Sequence, residues 1–561
     1  MKKEEFKKLL NIDTKPFSEN RITIEMLSEL DAYLTNLENY KNIGEDAFSV
    51  YKKFVSMKQE APDSMKNNLF SVLKKFIHEK KETNEFYSAL FLYRFLIVKS
   101  KLSPEDYFNI AEILFNIGDR NLLLKFIKIY EEKETNKPLL FITLANFYNL
   151  QMRDYKTAIR YYEKYIEIDK TKPVVYTIVG SLYAKEYGDL SLKDQIFYFK
   201  KAYTLKPSDR LILHGLAYGY EKLGDKENAD KYYKKLLDNN PTETDYYNYG
   251  AFLINCGDFQ NGHKYFAHRF NIDDNNLKYP LANDIKHKWD FKADISDKTL
   301  LVHYEQGFGD TFMYCRFVPF LKKLAGKIIF VVQDDLFNLL KSSPIISDGI
   351  EIVPESIDIS TLQYDFHMAL LDAPLALNTD ISTIPYKNGY LEVDRHKIDK
   401  YAKKYLKKSE NLKVGIAYSG DKSANYNGRD LELNRFRNLL NIEGIDFYSL
   451  QVNGEDESLY NITSLGNTFK SFTDTACAMK NMDIIISTDN VILNLAGALG
   501  ITTYGLFNKF PNYRWYKLNG KDVGWYSSVI PLQAEETNCW RDIFAELIQI
   551  MLQNAKELAK K

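Results

Sequence analysis

From the N-terminus to about residue 270, apolar residues recur at three- and four-residue spacing almost without interruption, as expected of amphipathic helices that each bury one face. Around Trp289 the pattern changes. From Thr299 onward short β-branched runs alternate with stretches of helical period, which predicts a parallel α/β architecture. TLLVHY, KIIFVVQ and YDFHMALL are expected as strands, with TFMYCRFVPFLKKLAG and DDLFNLLKSS as helices between them. In a second series LKVGIAYSG, IDFYSLQV, DIIIST and ITTYGLFN are the strands, and LNRFRNLLN, TDTACAMKN and NVILNLAGALG the helices. The Lys-rich helix KIDKYAKKYLKKSENLK separates the two series. Two Rossmann-like lobes with a cleft between them follow from this order.

The helical half is internally repetitive. In LILHGLAYGYEKLGDKENADKYYKKLLDNNP, the residues Leu216, Ala217, Tyr220, Gly224, Ala229, Tyr233 and Pro241 fall at the spacing of a tetratricopeptide repeat, which this unit resembles. Small residues let two antiparallel helices approach, aromatics fill the gap between units, and Gly224 ends the first helix. The preceding unit uses Gly180, Tyr183, Phe199, Ala202 and Pro207, with extra residues around KEYGDLSLKD, and the one before it Leu144, Ala145, Tyr148, Ala158 and Tyr162. Gly250, Gly257, Gly262 and Phe266 mark a following unit. The segment NEFYSALFLYRFLIV, with Phe86, Tyr87 and Leu90, fits no repeat.

The length of 561 residues is far more than one core absorbs. With 75 basic against 76 acidic side chains the net charge is -1, so no field over the whole protein attracts nucleic acid or an anionic membrane. Cys256, Cys315, Cys477 and Cys539 are far apart and form no CxxC pair, which supports neither a disulfide framework nor a zinc site. The opening MKKEEFKKLLNI does not read as a secretory signal, and the longest apolar runs are strand-sized. A soluble cytoplasmic protein is expected, with oligomerisation left open.

Ligands of open α/β sheets bind beyond the carboxyl ends of the strands, so the residues just after each strand carry the chemistry. In EQGFGDT, Glu305, Gln306 and Gly309 are candidates for the cleft wall. Phe312 stands where GxGxxG needs its third glycine, and no P-loop Lys-Ser/Thr is present, so a nicotinamide dehydrogenase and a P-loop nucleotidase are disfavoured. Asp310 is placed either to accept a proton at the cleft or to cap the helix that follows. In the second lobe Thr488, Asp489 and Asn490 lead from a strand into a helix whose amides suit a diphosphate, while Asp489 is also a candidate cap. Ser419 and Gly420 make a similar turn, and Arg429, with Lys422, would neutralise phosphate. Arg514, Trp515, Trp525 and Tyr526 follow the last strand and are candidates for cleft or core.

Together, EQGFGDTFMYCRFVPFL, YSG followed by Arg429, FYSLQ with Gln451, FTDTACAMKNMDIIISTDNVILNLAGALG, and YRWY followed by GWYSS resemble tetratricopeptide-repeat glycosyltransferases related to glycosyltransferase family 9, the heptosyltransferase family. The resemblance implies a GT-B fold, inverting transfer from a nucleotide-activated sugar, and no essential metal or other cofactor. It implies Asp310 as catalytic base, and a donor site including Asp489 and the amides from Asn490. Asn494 stands where relatives place a His, and no His follows His396, so donor identity is open. The expected organisation is an N-terminal helical region (1–95), repeats (96–275), a linker (276–297), an acceptor-side lobe (298–396), an inter-lobe helix (397–410), a nucleotide-sugar lobe (411–535) and a C-terminal helix (536–561). The expected activity is transfer to Ser/Thr hydroxyls of a protein held by the repeats, flagellin being one bacterial acceptor that fits. The alternatives are transfer to a glycan or lipid-linked acceptor, and a scaffold whose lobes are an inactive relic.

Overall fold

The computed structural model describes residues 44, 46–47, 49–52, 63–98, 102–272, 281, 284–420, 429–452, 454–515, 523–536 and 538–560. These fall into two compact units divided between Thr171 and Lys172.

The first unit is helical. Asp63–Glu82 packs against Phe86–Val98, and the pairs Pro104–Ile117 with Arg120–Lys133 and Lys137–Leu150 with Tyr155–Ile168 form further antiparallel hairpins. NEFYSALFLYRFLIV, which matches no repeat by spacing, is therefore the second helix of a hairpin. Residues 1–43 of the expected N-terminal region lie outside the described residues.

The second unit joins three more hairpins to two parallel sheets. The hairpins are Pro173–Tyr187 with Leu192–Leu205, Arg210–Leu223 with Lys226–Leu237, and Glu243–Cys256 with Phe259–Phe266. Gly224 ends its helix at φ +78°, a left-handed conformation that costs glycine little. In the last hairpin a Cβ on Gly250 would lie 2.4 Å from the Phe266 amide nitrogen, so the two backbones touch where only glycine fits. Ile254, Phe259 and Phe266 of this hairpin belong to the same buried core as the first lobe.

In the first lobe β1 (Thr299–His303), β2 (Lys327–Val332), β3 (Glu351–Pro354) and β4 (Phe366–Ala369) form a parallel sheet in the order β3-β2-β1-β4. In the second, β5 (Leu412–Ala417), β6 (Ile445–Ser449), β7 (Thr463–Ser464), β8 (Ile484–Thr488), β9 (Thr503–Phe507) and β10 (Val529–Gln533) are ordered β10-β9-β8-β5-β6-β7. All expected strands are present, and β3, β7 and β10 add to them. Strand order reverses between β1 and β4 and between β5 and β8, and each reversal opens a crevice at the strand ends. Repeats followed by two Rossmann-like lobes is thus the architecture. Among the described residues no helix is long and apolar enough to cross a membrane.

Three local expectations are corrected. TFMYCRFVPFLKKLAG is not one helix but Phe308–Tyr314, a 3-10 turn Cys315–Phe317 and Val318–Leu321, where Pro319 sits in the first turn of the last piece because it lacks an N–H to continue the helix before it. LNRFRNLLN forms two 3-10 turns, Leu433–Phe436 and Leu439–Asn441. The described end of the expected linker joins the first lobe: Trp289 is buried and its N–H donates to His367 O at 2.9 Å.

Candidate active site

The chain leaves β1 into a turn at which two neighbouring side chains part. Glu305 is fully buried and meets Arg269, from the segment after the last repeat, at 2.8 Å (Nε to Oε2) and 2.5 Å (Nη2 to Oε1). Arg269 Nη1 also donates to Asp372 Oδ1 at 2.7 Å, and the Leu371 amide donates to Glu305 Oε1 at 3.1 Å. Glu305 therefore does not line the cleft; it holds a buried ion triad in the crevice between β1 and β4. Gln306 follows with φ +59°, an uncommon left-handed conformation for a non-glycine residue, and its side chain accepts from Arg514 Nη2 at 2.5 Å.

Asp310 is neither in the turn nor the helix cap. It is the third residue of Phe308–Tyr314, where Oδ2 accepts the Gly307 amide at 3.3 Å and Oδ1 accepts Arg514 Nε at 2.5 Å. Burial pushes its pKa above the ordinary carboxylate value, while Arg514 works against that shift. Gly309 lies within the helix instead of loosening a turn. A Cβ there would stand 3.1 Å from Asn494 Nδ2, so its small size lets Phe308–Tyr314 press against Val491–Leu499 of the other lobe.

Asn494 is buried at this crossing, its amide donating to Asn490 O at 3.4 Å and accepting from the Tyr526 hydroxyl at 3.2 Å. Trp525 and Tyr526 are fully buried core residues, not cleft wall.

At the second crevice Asn490 is the helix cap. Its Oδ1 accepts the Ile492 and Leu493 amides at 2.9 and 3.4 Å, and its Nδ2 reaches Thr488 Oγ1 at 3.2 Å and Ser419 O at 3.4 Å. Thr488 and Asn490 are thus the frame that ties β8 to the turn after β5. Gln451 steadies that turn by accepting the Tyr418 and Ser419 amides at 3.2 and 3.1 Å, and the Gly420 amide donates to Asp430 at 2.8 Å. Arg429 lies against Gly420, whose Cβ would stand 2.9 Å from its Nη2. Asp489, freed from capping, accepts Trp515 Nε1 at 2.7 Å. Burial raises the Asp489 pKa, with Trp515, Arg514 and Arg429 opposing. Lys422 lies outside the described residues.

Asp489, Arg429 and Trp515 face a groove of about 1230 Å³. Its opposite wall is the inner face of the repeats, including His214, Tyr218, Lys222 and Asn248, and Lys222 Nζ stands 5.9 Å from the Phe510 ring centroid across the groove. Among the described residues no group of three His, Cys, Asp or Glu is gathered as a metal site. The structure thus brings Asp310, Gln306 and Arg514 together, and Asp489, Trp515 and Arg429 together. It leaves Glu305 and Asn494 in packing roles. Arg269, Asp372, Asn512 and the Phe510 loop escaped the sequence reading, and nothing near Arg269 distinguishes it from a surface arginine.

The tetratricopeptide repeat family model matches residues 140–172 and 212–243. Protein FlbA of Caulobacter vibrioides is 22% identical over 271 residues, covering 44% of this chain and 45% of that protein, so the chain spans under half the length of this curated relative. The glycosyl transferase family 9 structure from Veillonella parvula DSM 2008 is matched over 48% of this chain and 99% of its own, at 11% identity and a TM-score of 0.32. ADP-heptose lps heptosyltransferase II of E. coli is matched over 46% of this chain and 99% of its own, also at 11% and 0.32. The chain thus carries tetratricopeptide repeats at residues 140–172 and 212–243, followed by two parallel-sheet, Rossmann-like lobes.

Proposed function

We propose that this chain is an inverting glycosyltransferase that moves a sugar from a nucleotide-activated donor to a Ser or Thr hydroxyl of a protein acceptor. The observation that carries this reading is the pairing of two carboxylates, one from each lobe, through one dipeptide: Arg514 holds Asp310 and Trp515 holds Asp489. Such a site can place a base opposite a donor pocket. Asp310 takes the proton of the acceptor hydroxyl, whose oxygen attacks the anomeric carbon. The bond from that carbon to the diphosphate breaks with inversion, and the nucleoside diphosphate leaves with the electron pair.

The donor lies by Asp489 and the turn of Ser419 and Gly420, with Gln451 shaping that turn. Arg429 faces the diphosphate, with the positive end of the Val491–Leu499 dipole behind the Asn490 cap, so the positive charge comes from the protein and no metal is required. The groove between the repeats and the second lobe favours a protein acceptor, since an extended segment lying there passes Asp489 and Arg429.

Donor hydrolysis across a panel of nucleotide sugars identifies the donor, and intact mass of candidate acceptors, flagellin among them, after co-expression identifies the product. Asp310→Asn keeps shape but loses basicity, so transfer should fall by about 10²–10⁴-fold with folding intact. A folded Asn variant with near wild-type turnover would refute the base assignment. EDTA should leave the rate unchanged; a rate recovered only by adding Mg²⁺ or Mn²⁺ would refute metal independence.

A further inference from the structure

Arg514 is anchored in one lobe and spends its charge in the other. Its amide donates to Asn512 Oδ1 at 3.2 Å, its carbonyl accepts Trp525 Nε1 at 2.7 Å, and the next residue is pinned by Asp489. The backbone is fixed at the second crevice. The guanidinium reaches across to Asp310 and Gln306 of the first lobe, with Nη1 on Asn512 Oδ1 at 2.9 Å.

This arrangement occupies both oxygens of Asp310. Oδ1 takes the Arg514 bond and Oδ2 the Gly307 amide, and the guanidinium charge works against the basicity that burial gives the carboxylate. With Arg514 bound, the carboxylate is a weaker base than burial alone would make it. The same guanidinium lies close enough to Asp489 to act on its charge, at the crevice where a donor diphosphate would sit. A diphosphate carries more negative charge than one carboxylate and offers the planar fork a bidentate partner.

We propose that Arg514 is a shared cation that passes from Asp310 to the diphosphate of the bound donor, so that donor binding itself unmasks the base and must precede acceptor chemistry. The inference rests on the glycosyltransferase reading above and adds the order of events and the leaving-group cation. It also explains why Gln306 holds a left-handed conformation: its side chain supports the guanidinium in the resting position.

The test is calorimetric binding of UDP, GDP and ADP to the full chain without acceptor. Wild type should bind at least one. Arg514→Ala should weaken that nucleotide by about 10- to 100-fold, the value of a charge-assisted bond to phosphate. Asp310→Asn should bind it severalfold more tightly, because the resting partner that competes for Arg514 loses its charge. Arg514→Gln, which keeps an amide beside Gln306, serves if the Ala variant fails to fold, and the Asp310→Asn result stands on its own. Nucleotide binding that is unchanged in both Arg514 variants, or not strengthened by Asp310→Asn, overturns the shared cation while leaving a glycosyltransferase in place. No binding of any nucleoside diphosphate to either wild type or Asp310→Asn overturns the glycosyltransferase reading itself, and the inference with it.

Discussion

The two lobes present the same device, a crevice where strand order reverses, and use it in opposite ways. Between β1 and β4 the crevice is filled by Arg269, which the turn after the last hairpin supplies and which Glu305 and Asp372 bind out of reach of solvent. Between β5 and β8 the crevice is framed by Asn490 and Gln451 and faces the groove through Asp489 and Arg429. An acidic residue follows the strand in both. What distinguishes them is the partner: a buried guanidinium makes Glu305 part of the architecture, whereas an indole N–H leaves Asp489 with acceptor capacity. The repeats are accordingly not an appendage to the lobes, because their last hairpin completes the first lobe's core and closes its crevice.

The largest effect should come from breaking that closure. Arg269→Met leaves two carboxylates buried without a counter-charge and should cost about 3–5 kcal/mol in urea unfolding, or prevent folding of the second unit altogether. Replacing Arg269, Glu305 and Asp372 together by apolar residues of similar volume should recover most of the loss, since the desolvation penalty is removed along with the attraction. A single Arg269→Met variant as stable as wild type would mean that the first crevice is as open as the second. For the same reason a fragment beginning near Trp289 lacks both Arg269 and the hairpin's apolar face, and makes a poor test of the lobes alone.

A smaller and pH-dependent effect belongs to the same closed side. His263, in the last hairpin, is fully buried among Phe259, Phe266 and Tyr314 with neither ring nitrogen hydrogen-bonded, and burial lowers its pKa to about 3, with Arg269 adding to the effect. In the unfolded chain the same ring titrates near 6.5. Its contribution to stability is therefore complete above pH 6.5 and is lost as pH falls, because the unfolded chain takes up a proton that the native ring refuses. Between pH 7.5 and 5 the loss should reach about 2 kcal/mol. His263→Leu should flatten this part of the profile in denaturation at the two pH values; an unchanged slope would place the acid sensitivity elsewhere.

The hydrophobic pattern is enough to place seven strands and the main helices, because period 2 and period 3.6 are local properties of the chain. It misses β3, β7 and β10, which are two to five residues long and carry too little alternation to stand out. Among site residues, Asp310, Arg514, Asp489 and Trp515 are visible as polar or aromatic groups near strand ends. Their pairing across the lobes is not, since 204 positions separate Arg514 from Asp310. Sequence position alone puts Glu305 and Asn494 at the cleft, because it gives the strand end but not which way the side chain turns. Asn490, read as a donor contact through its amide, is the cap whose own side chain takes the two amides that follow.

The finest test of the comparison is a matched pair of isosteric changes, Glu305→Gln and Asp489→Asn, which delete one charge each from the first acidic residue beyond β1 and beyond β8. Glu305→Gln leaves Arg269 balanced by Asp372 but puts an amide NH2 against the guanidinium in place of one charge-assisted contact, so this variant should lose about 1–3 kcal/mol. Asp489→Asn keeps an oxygen for Trp515 and removes a charge whose burial is unfavourable, so its stability should stay within about 1 kcal/mol of wild type. Its effect should appear in binding instead. If the proposed donor binds here, a carboxylate beside it repels the diphosphate slightly and accepts strongly from sugar hydroxyls, so the affinity for the nucleotide sugar relative to its nucleoside diphosphate should fall about tenfold, the worth of one charge-assisted bond. Calorimetry with the donor found by hydrolysis, and with its diphosphate alone, reads this ratio directly. If the ratio is unchanged while stability drops as far as in Glu305→Gln, then Asp489 is a structural acid like its counterpart and the second crevice is closed in the same way as the first.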